Sequence, residues 1–314
     1  MTTLSTPRTP RTPRTPRTPR THRSRLARTA AAGGVLALAG VATSAPVSAA
    51  APQHHTTWTK SYVALGDSSA SGPAIPDQID ANCARSNRNY PTLVSTTLGT
   101  ELTDVSCSGA TTAQMTAPQG TAPAQFTALK WSTKLVTLTI GGNDIGFSST
   151  IGTCAQLGGT NPAGSPCKDH YNATGTDQVR TAIERTAPKV ADVLKGIKQR
   201  APFARVLVVG YPALFPESDD GGCFSRTAPF AAGDFRWMRD SEKTLNAMLA
   251  NEARLAGATY VDTYTPTIGH DMCAPAAERW VEDLAPVTPA APVHANAQGH
   301  AAMATAVERT LGKR

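Results

Sequence analysis

The sequence predicts an α/β protein, a parallel sheet covered by helices, on three observations. Short apolar runs alternate with longer stretches of helical periodicity, the runs are almost wholly apolar at their centres, and turns of glycine and small polar residues follow them. A strand buried on both faces needs such continuous apolar sequence, whereas a half-exposed antiparallel strand would alternate in polarity.

In chain order, the strand candidates are Tyr62 to Leu65, Leu102 to Val105, Leu135 to Ile140, Val206 to Val209 and Thr259 to Val261. Helices are expected over Tyr90 to Leu98, Asp177 to Gln199, Gly233 to Leu255 and Asn296 to Leu311. The second repeats apolar residues at Val179, Ile183, Val190, Val193, Leu194 and Ile197, close to one helical stripe. Three stretches read as long loops: Ser148 to Gly175, Tyr211 to Ala232, and Thr263 to Val293. No internal repeat or linker divides residues 50–314, which therefore read as one domain with its function on loops at the carboxyl ends of the strands.

The first 49 residues are of a different kind. From Pro7 to Thr21, proline, arginine and threonine cycle with a period of three, and eight arginines up to Arg28 arrive without one acidic residue. An alanine-rich apolar run from Ala30 to about Val41 follows, then small residues up to Ala49. A basic leader, a short apolar segment and small residues before a cleavage point describe a secretory signal peptide, so the protein is expected outside the cell. The run is too short for a stable membrane anchor.

Setting the leader aside changes the electrostatics. The whole chain of 314 residues has a formal charge of +7, and without those eight arginines the remainder carries −1. The basic character belongs to the export signal, and no later stretch gathers lysine and arginine, so a nucleic-acid partner is not expected. Six cysteines remain: Cys83, Cys107, Cys154, Cys167, Cys223 and Cys273. An even count in an exported chain reads as three disulfides whose connectivity the sequence leaves open. Sequential pairing, Cys83–Cys107, Cys154–Cys167 and Cys223–Cys273, is the favoured expectation, each bridge pinning a loop beside a strand end. No Cys-x-x-Cys pair occurs, and metal binding is not expected.

The informative residues gather where the strands end. Gly66 Asp67 Ser68 follows the first strand, Ser106 Cys107 Ser108 Gly109 Ala110 Thr111 the second, Gly141 Gly142 Asn143 Asp144 the third, and His294 Ala295 Asn296 Ala297 Gln298 Gly299 precedes the last helix. Taken singly, each is ordinary turn or cap chemistry. Together, and in this order, they are much harder to explain as turns and caps alone.

On these four blocks the chain resembles the SGNH hydrolases, the GDSL family of esterases and lipases, over essentially all of Tyr62 to Leu311, and in particular the secreted Streptomyces-type enzymes with three disulfides. The resemblance implies a flavodoxin-like fold: a central five-stranded parallel sheet between helices, with long disulfide-pinned loops. It further implies that Ser68 is the nucleophile and His294 its general base, with an oxyanion hole made by the backbone amides of Ser68 and Gly109 and the side-chain amide of Asn143. Asp67 is read as holding its loop. No cofactor is implied, and the expected partner is a small-molecule or lipid ester met by a monomer. Carboxylesterase or lipase activity is the first expectation, then phospholipase A or carbohydrate deacetylase on the same machinery; an inactive binding module is the non-enzyme alternative.

One block departs from the family pattern. The usual last block reads Asp-x-x-His, and the position three before His294 is Ala291. By analogy with relatives that lack this carboxylate, the Ala291 carbonyl is expected to orient His294, giving a Ser-His dyad; the alternative is that Glu282 or Asp283 folds back to supply the charge. His300 reads as a surface residue of the last helix, and His170 and His270 as residues of long loops without partners at a recognisable spacing.

Overall fold

The computed structural model describes residues 61–218 and 222–313; the signal peptide expected over residues 1–49 lies outside them. The chain runs β1 (Ser61–Gly66), α1 (Ser68–Ser71), β2 (Gln78–Asp80), β3 (Arg85–Ser86), α2 (Tyr90–Leu98), β4 (Glu101–Asp104), β5 (Leu135–Thr139), α3 (Phe147–Gly158), α4 (Pro166–Asn172), α5 (Gln178–Arg200), β6 (Arg205–Val209), α6 (Ala232–Leu255), β7 (Thr259–Val261) and α7 (Ala297–Thr310). Five of the strands form one sheet in the order β4-β1-β5-β6-β7, all parallel, and β2 pairs with β3 in a small antiparallel hairpin. The chain leaves β1 to one side, for β4, and then crosses back to β5. This reversal opens a crevice above the carboxyl ends of the strands, the position where open α/β sheets bind ligands.

Both faces of the sheet are covered. Val63, Leu65, Val136 and Leu138 belong to one core cluster, shared with Ile183 and Val190 of α5 and Leu245 and Leu249 of α6. Tyr62, Ala64, Leu135 and Leu207 point the other way, toward Tyr90 and Val94 of α2 and Met303 and Val307 of α7. Alternate residues of one strand thus serve opposite faces, and both faces are apolar, as the sequence pattern requires. The polar exceptions in β5 are paired: Thr137 hydrogen-bonds the Tyr62 hydroxyl at 2.8 Å and Thr139 that of Tyr90 at 2.9 Å.

Helix ends follow local chemistry. Asn89 caps α2 by accepting from the Thr92 amide, and Asp177 caps α5 by accepting from the Arg180 amide. The stretch from Ser148 to Gly175, expected as a loop, is instead largely helical, containing most of α3 and all of α4. Its glycine and threonine content hid a buried stripe at Ile151, Cys154 and Gly158, and Gly158 has no room for a Cβ against the Pro229 carbonyl. Cys154 of α3 is joined to Cys167 of α4, and the other bridges join Cys83 to Cys107 and Cys223 to Cys273. The hairpin β2–β3 is too short to leave a periodic signal.

The turn out of β1 is the tightest point of the fold. Gly66 has φ of +154°, and a Cβ there would lie 2.6 Å from the Thr139 oxygen and 2.9 Å from Ala70 Cβ. Gly66→Ala is therefore expected to destabilise the protein by about 2–4 kcal/mol, through left-handed strain and overpacking together, read as a lowered urea midpoint with unchanged slope.

Candidate active site

Three strand ends and one helix start converge on the crevice. At the end of β1 the Asp67 amide donates to the Thr139 oxygen at 2.9 Å, and the Asp67 side chain caps α1 by accepting from the Ser69 amide. The chain reverses there, and Ser68 stands at the first position of that short helix. Gln125 braces the same turn, accepting from the Gly66 amide and donating to the Gly66 oxygen, both at 2.8 Å.

His294 lies just before α7, in a turn where Val293 adopts φ of +55°. Its Nε2 is 2.8 Å from Ser68 Oγ, and its Nδ1 is 2.7 Å from the carbonyl oxygen of Pro292. A carbonyl only accepts, so Nδ1 carries the proton and Nε2 is left to accept from the serine. The orienting carbonyl is thus that of Pro292, not of Ala291. The left-handed turn at Val293 brings the carbonyl two residues back against the ring, while Ala291 is drawn away by its own amide bond to the Pro73 oxygen.

Among the described residues, no carboxylate takes that position. Glu282 accepts from Thr288 Oγ1, Asn296 Nδ2 and the Val287 amide, and Asp283 from Arg279 and the Ala285 amide. These residues support His294 through the backbone instead: the Glu282 amide donates to the His294 oxygen at 3.0 Å, beside a bridge between Val281 and Ala295. His300 is not a surface residue. It is 1% exposed, on the face of α7 that packs on α2, and its Nδ1 accepts from the Tyr90 amide at 3.1 Å. Burial pushes its imidazole down to about 3, so it stays neutral. His270 stacks on Trp280 with ring centroids 3.6 Å apart, and His170 meets Tyr171 edge-on.

The proposed amide donors lie on two further loops. Gly109, with φ of +81°, follows the Cys83–Cys107 bridge, and among the described residues neither its amide nor that of Ser68 has a protein acceptor. Asn143 follows β5 and donates one Nδ2 hydrogen to the Ala110 oxygen at 2.9 Å, leaving the other unused. Asp144 accepts from the Thr112 amide and hydroxyl, so the Gly109 and Asn143 loops are stitched together.

Sequence reasoning missed Tyr211, Asn246 and Gln125. The Tyr211 hydroxyl donates to Asp67 Oδ2 at 2.5 Å and accepts from the Gly142 amide at 2.8 Å, while Asn246 holds the Tyr211 backbone at both its N–H and its oxygen. None of the three stands in a recognisable motif. Next to Ser68, His294 and Asn143 opens a cavity of about 240 Å³, walled by Phe147, Ile151, Leu214, Leu245 and Leu284. Glu242 also borders it, and burial pushes this carboxyl well above the usual range.

Burial also shifts the two groups nearest the serine. The His294 imidazole is held below its ordinary value, with the Pro292 carbonyl opposing the shift. Asp67 is pushed up to about 7, chiefly by burial, against the bonds from Tyr211 and Ser69. In the unfolded chain an aspartate ionises near 4, so between about pH 4 and 7 the unfolded state sheds this proton while the folded state keeps it. Asp67 thus withdraws stability as pH rises through that window and no further above it. Urea titrations of wild type and Asp67→Asn at pH 5 and pH 8 are expected to show a smaller pH dependence in the variant, by about 2–3 kcal/mol.

Residues 64–302 match the GDSL-like Lipase/Acylhydrolase family. The chain is 41% identical over 292 residues to Lipase 2 of Streptomyces coelicolor, covering 90% of this chain and 95% of that one. It is 34% identical over 223 residues to a lipase of Streptomyces rimosus, covering 68% and 73%. Among solved structures, the extracellular lipase of Streptomyces rimosus has a TM-score of 0.67 at 27% identity, covering 80% of this chain and 99% of that one. Phospholipase A1 from Streptomyces albidoflavus NA297 has a TM-score of 0.66 at 26% identity, covering 80% and 98%. The family match spans all four blocks, and with it the chain belongs to the GDSL-like lipases and acylhydrolases, a carboxylic ester hydrolase of the lipase and esterase type.

Proposed function

We propose that this hydrolase is secreted and cleaves acyl esters through a Ser68–His294 dyad and an acyl-enzyme intermediate. The observation that carries the reading is the approach of His294 Nε2 to Ser68 Oγ, 2.8 Å, with Nδ1 committed to a carbonyl. A serine hydroxyl needs a neutral base within hydrogen-bond reach, and burial, which holds the imidazole below its ordinary value, favours that neutral form. As Ser68 Oγ attacks the ester carbonyl, its proton passes to Nε2, and the Pro292 carbonyl holds the ring and part of the imidazolium charge. The unused amide hydrogens of Ser68, Gly109 and Asn143 suit the oxyanion of the tetrahedral intermediate. His294 then gives the proton to the departing alkoxide, and a water activated by the same nitrogen hydrolyses the acyl-enzyme.

The apolar cavity walls favour an aliphatic acyl chain, so carboxylesterase or lipase activity comes first. Phospholipase A activity is the second reading, favoured by the similarity to the Streptomyces albidoflavus phospholipase A1. Secretion is supported by the three bridges and by the similarity to an extracellular lipase. One domain and a monomer suffice for this chemistry.

Ser68→Ala is expected to lower kcat on p-nitrophenyl esters by at least about 10⁴-fold with an unchanged circular dichroism spectrum; retained activity would overturn the nucleophile assignment. The base must be deprotonated to act, so activity is present above the His294 pKa and lost as pH falls through it. The acid limb of kcat/KM is accordingly expected to have its midpoint below about 6.5, the ordinary histidine value.

A further inference from the structure

We infer that Tyr211 is a positioning residue for ester hydrolysis: one buried hydroxyl ties the turn that presents Ser68 to the loop that presents Asn143, and so holds nucleophile and oxyanion donor in register. The inference rests on the roles proposed above for Ser68 and Asn143. Asp67, the donor's acceptor, is the residue before Ser68; Gly142, whose amide the same oxygen accepts, is the residue before Asn143. Both hydrogen-bonding capacities of the phenol are therefore spent one residue away from a reacting group, on two different strand ends.

The phenol is itself held from a third direction. Tyr211 follows β6, and Asn246 of α6 accepts from its amide at 2.9 Å and donates to its oxygen at 3.0 Å. The ring lies directly on the Gly142 backbone, where a Cβ would stand 3.0 Å from the hydroxyl oxygen. A purely structural role explains this poorly. The strands β1 and β5 are already aligned by their own ladder, through Gly66 opposite Thr139, and by the Asp67 amide bond to Thr139. The hydroxyl adds no strand pairing; it fixes the Asp67 carboxyl and the Gly142 amide, which set how the two turns face each other. Misplacing reacting groups by about 1 Å can cost about 100-fold in rate, so small rotations of either turn matter.

The test is Tyr211→Phe, which keeps the ring and removes the oxygen. Reactive sites are counted with a fluorophosphonate, so that any loss of folded protein is normalised out. Per reactive site, kcat on a p-nitrophenyl ester is expected to fall about 10- to 100-fold with KM within about threefold of wild type, and binding of an alkyl boronic acid, which mimics the tetrahedral intermediate, to weaken in proportion to kcat/KM. Asn246→Ser, which loosens the Tyr211 backbone but keeps the hydroxyl, provides a second variant if Tyr211→Phe does not fold, and a smaller fall in kcat at constant KM is expected. Wild-type kcat per reactive site in the folded variants would overturn the inference. Activity surviving in Ser68→Ala would instead remove the reading of the site on which it depends, so the two failures are told apart.

Discussion

The active site depends on how β1 ends. The strand lies inside the sheet between β4 and β5, buried on both faces, and must hand over to the Ser68 hydroxyl within two residues. Gly66 and Asp67 are buried, so the chain must satisfy its own polar groups there. Gly66 makes the bend, Gln125 takes both of its backbone groups, and Asp67 gives its amide to β5 and its carboxyl to α1 and Tyr211. The cost is a carboxyl buried where its charge is poorly solvated, visible in its shift to about 7. Asp67 therefore organises the site at the expense of stability, a common bargain where groups are held ready for chemistry.

The same economy governs the histidine. A carboxylate behind His294 would raise its basicity, whereas a carbonyl fixes the tautomer without adding a full charge. Burial lowers the imidazole against the Pro292 carbonyl, which favours the neutral ring a general base needs but gives weaker support to an imidazolium. The nearby acids are spent on structure: Glu282 and Asp283 hold the loop 279–296 together through Arg279, Thr288 and Asn296, and that loop sets the position of the ring.

The sequence made the sheet readable because buried parallel strands need continuous apolar runs, and the four strand-end blocks because their residue types serve chemistry. Helices α5 and α6 were legible from their periodicity to within a residue or two at each end. The rest was hidden for physical reasons. Helix α3 buries a cysteine and a glycine in its stripe, which read as loop residues. His300 looks polar on paper but is buried because α7 lies against α2 and the Tyr90 amide needs an acceptor. The shift from Ala291 to Pro292 turns on one left-handed residue, Val293, a conformation that a β-branched side chain does not advertise. Tyr211 was silent because its role exists only once β1, β5 and β6 lie side by side.

What restrains the loops above the sheet is largely covalent. Cys107 stands two residues before Gly109 and is tied to the loop before β3; Cys154 lies in α3, whose Phe147 and Ile151 wall the cavity; Cys273 anchors the start of the chain that runs to His294. The partner of Cys273 is Cys223, and the same two segments meet again where the Leu284 amide donates to the Thr227 oxygen. The Gly109 loop, the cavity wall and the His294 loop thus each carry one bridge, while Ser68, in the short helix that follows β1, carries none. A sheet covered by helices fixes what grows directly from its strands; long connections lack a core of their own and need cross-links to stay ordered. The division matches the proposed chemistry, in which the serine sits still while the donors and the base are brought to it from afar and held there.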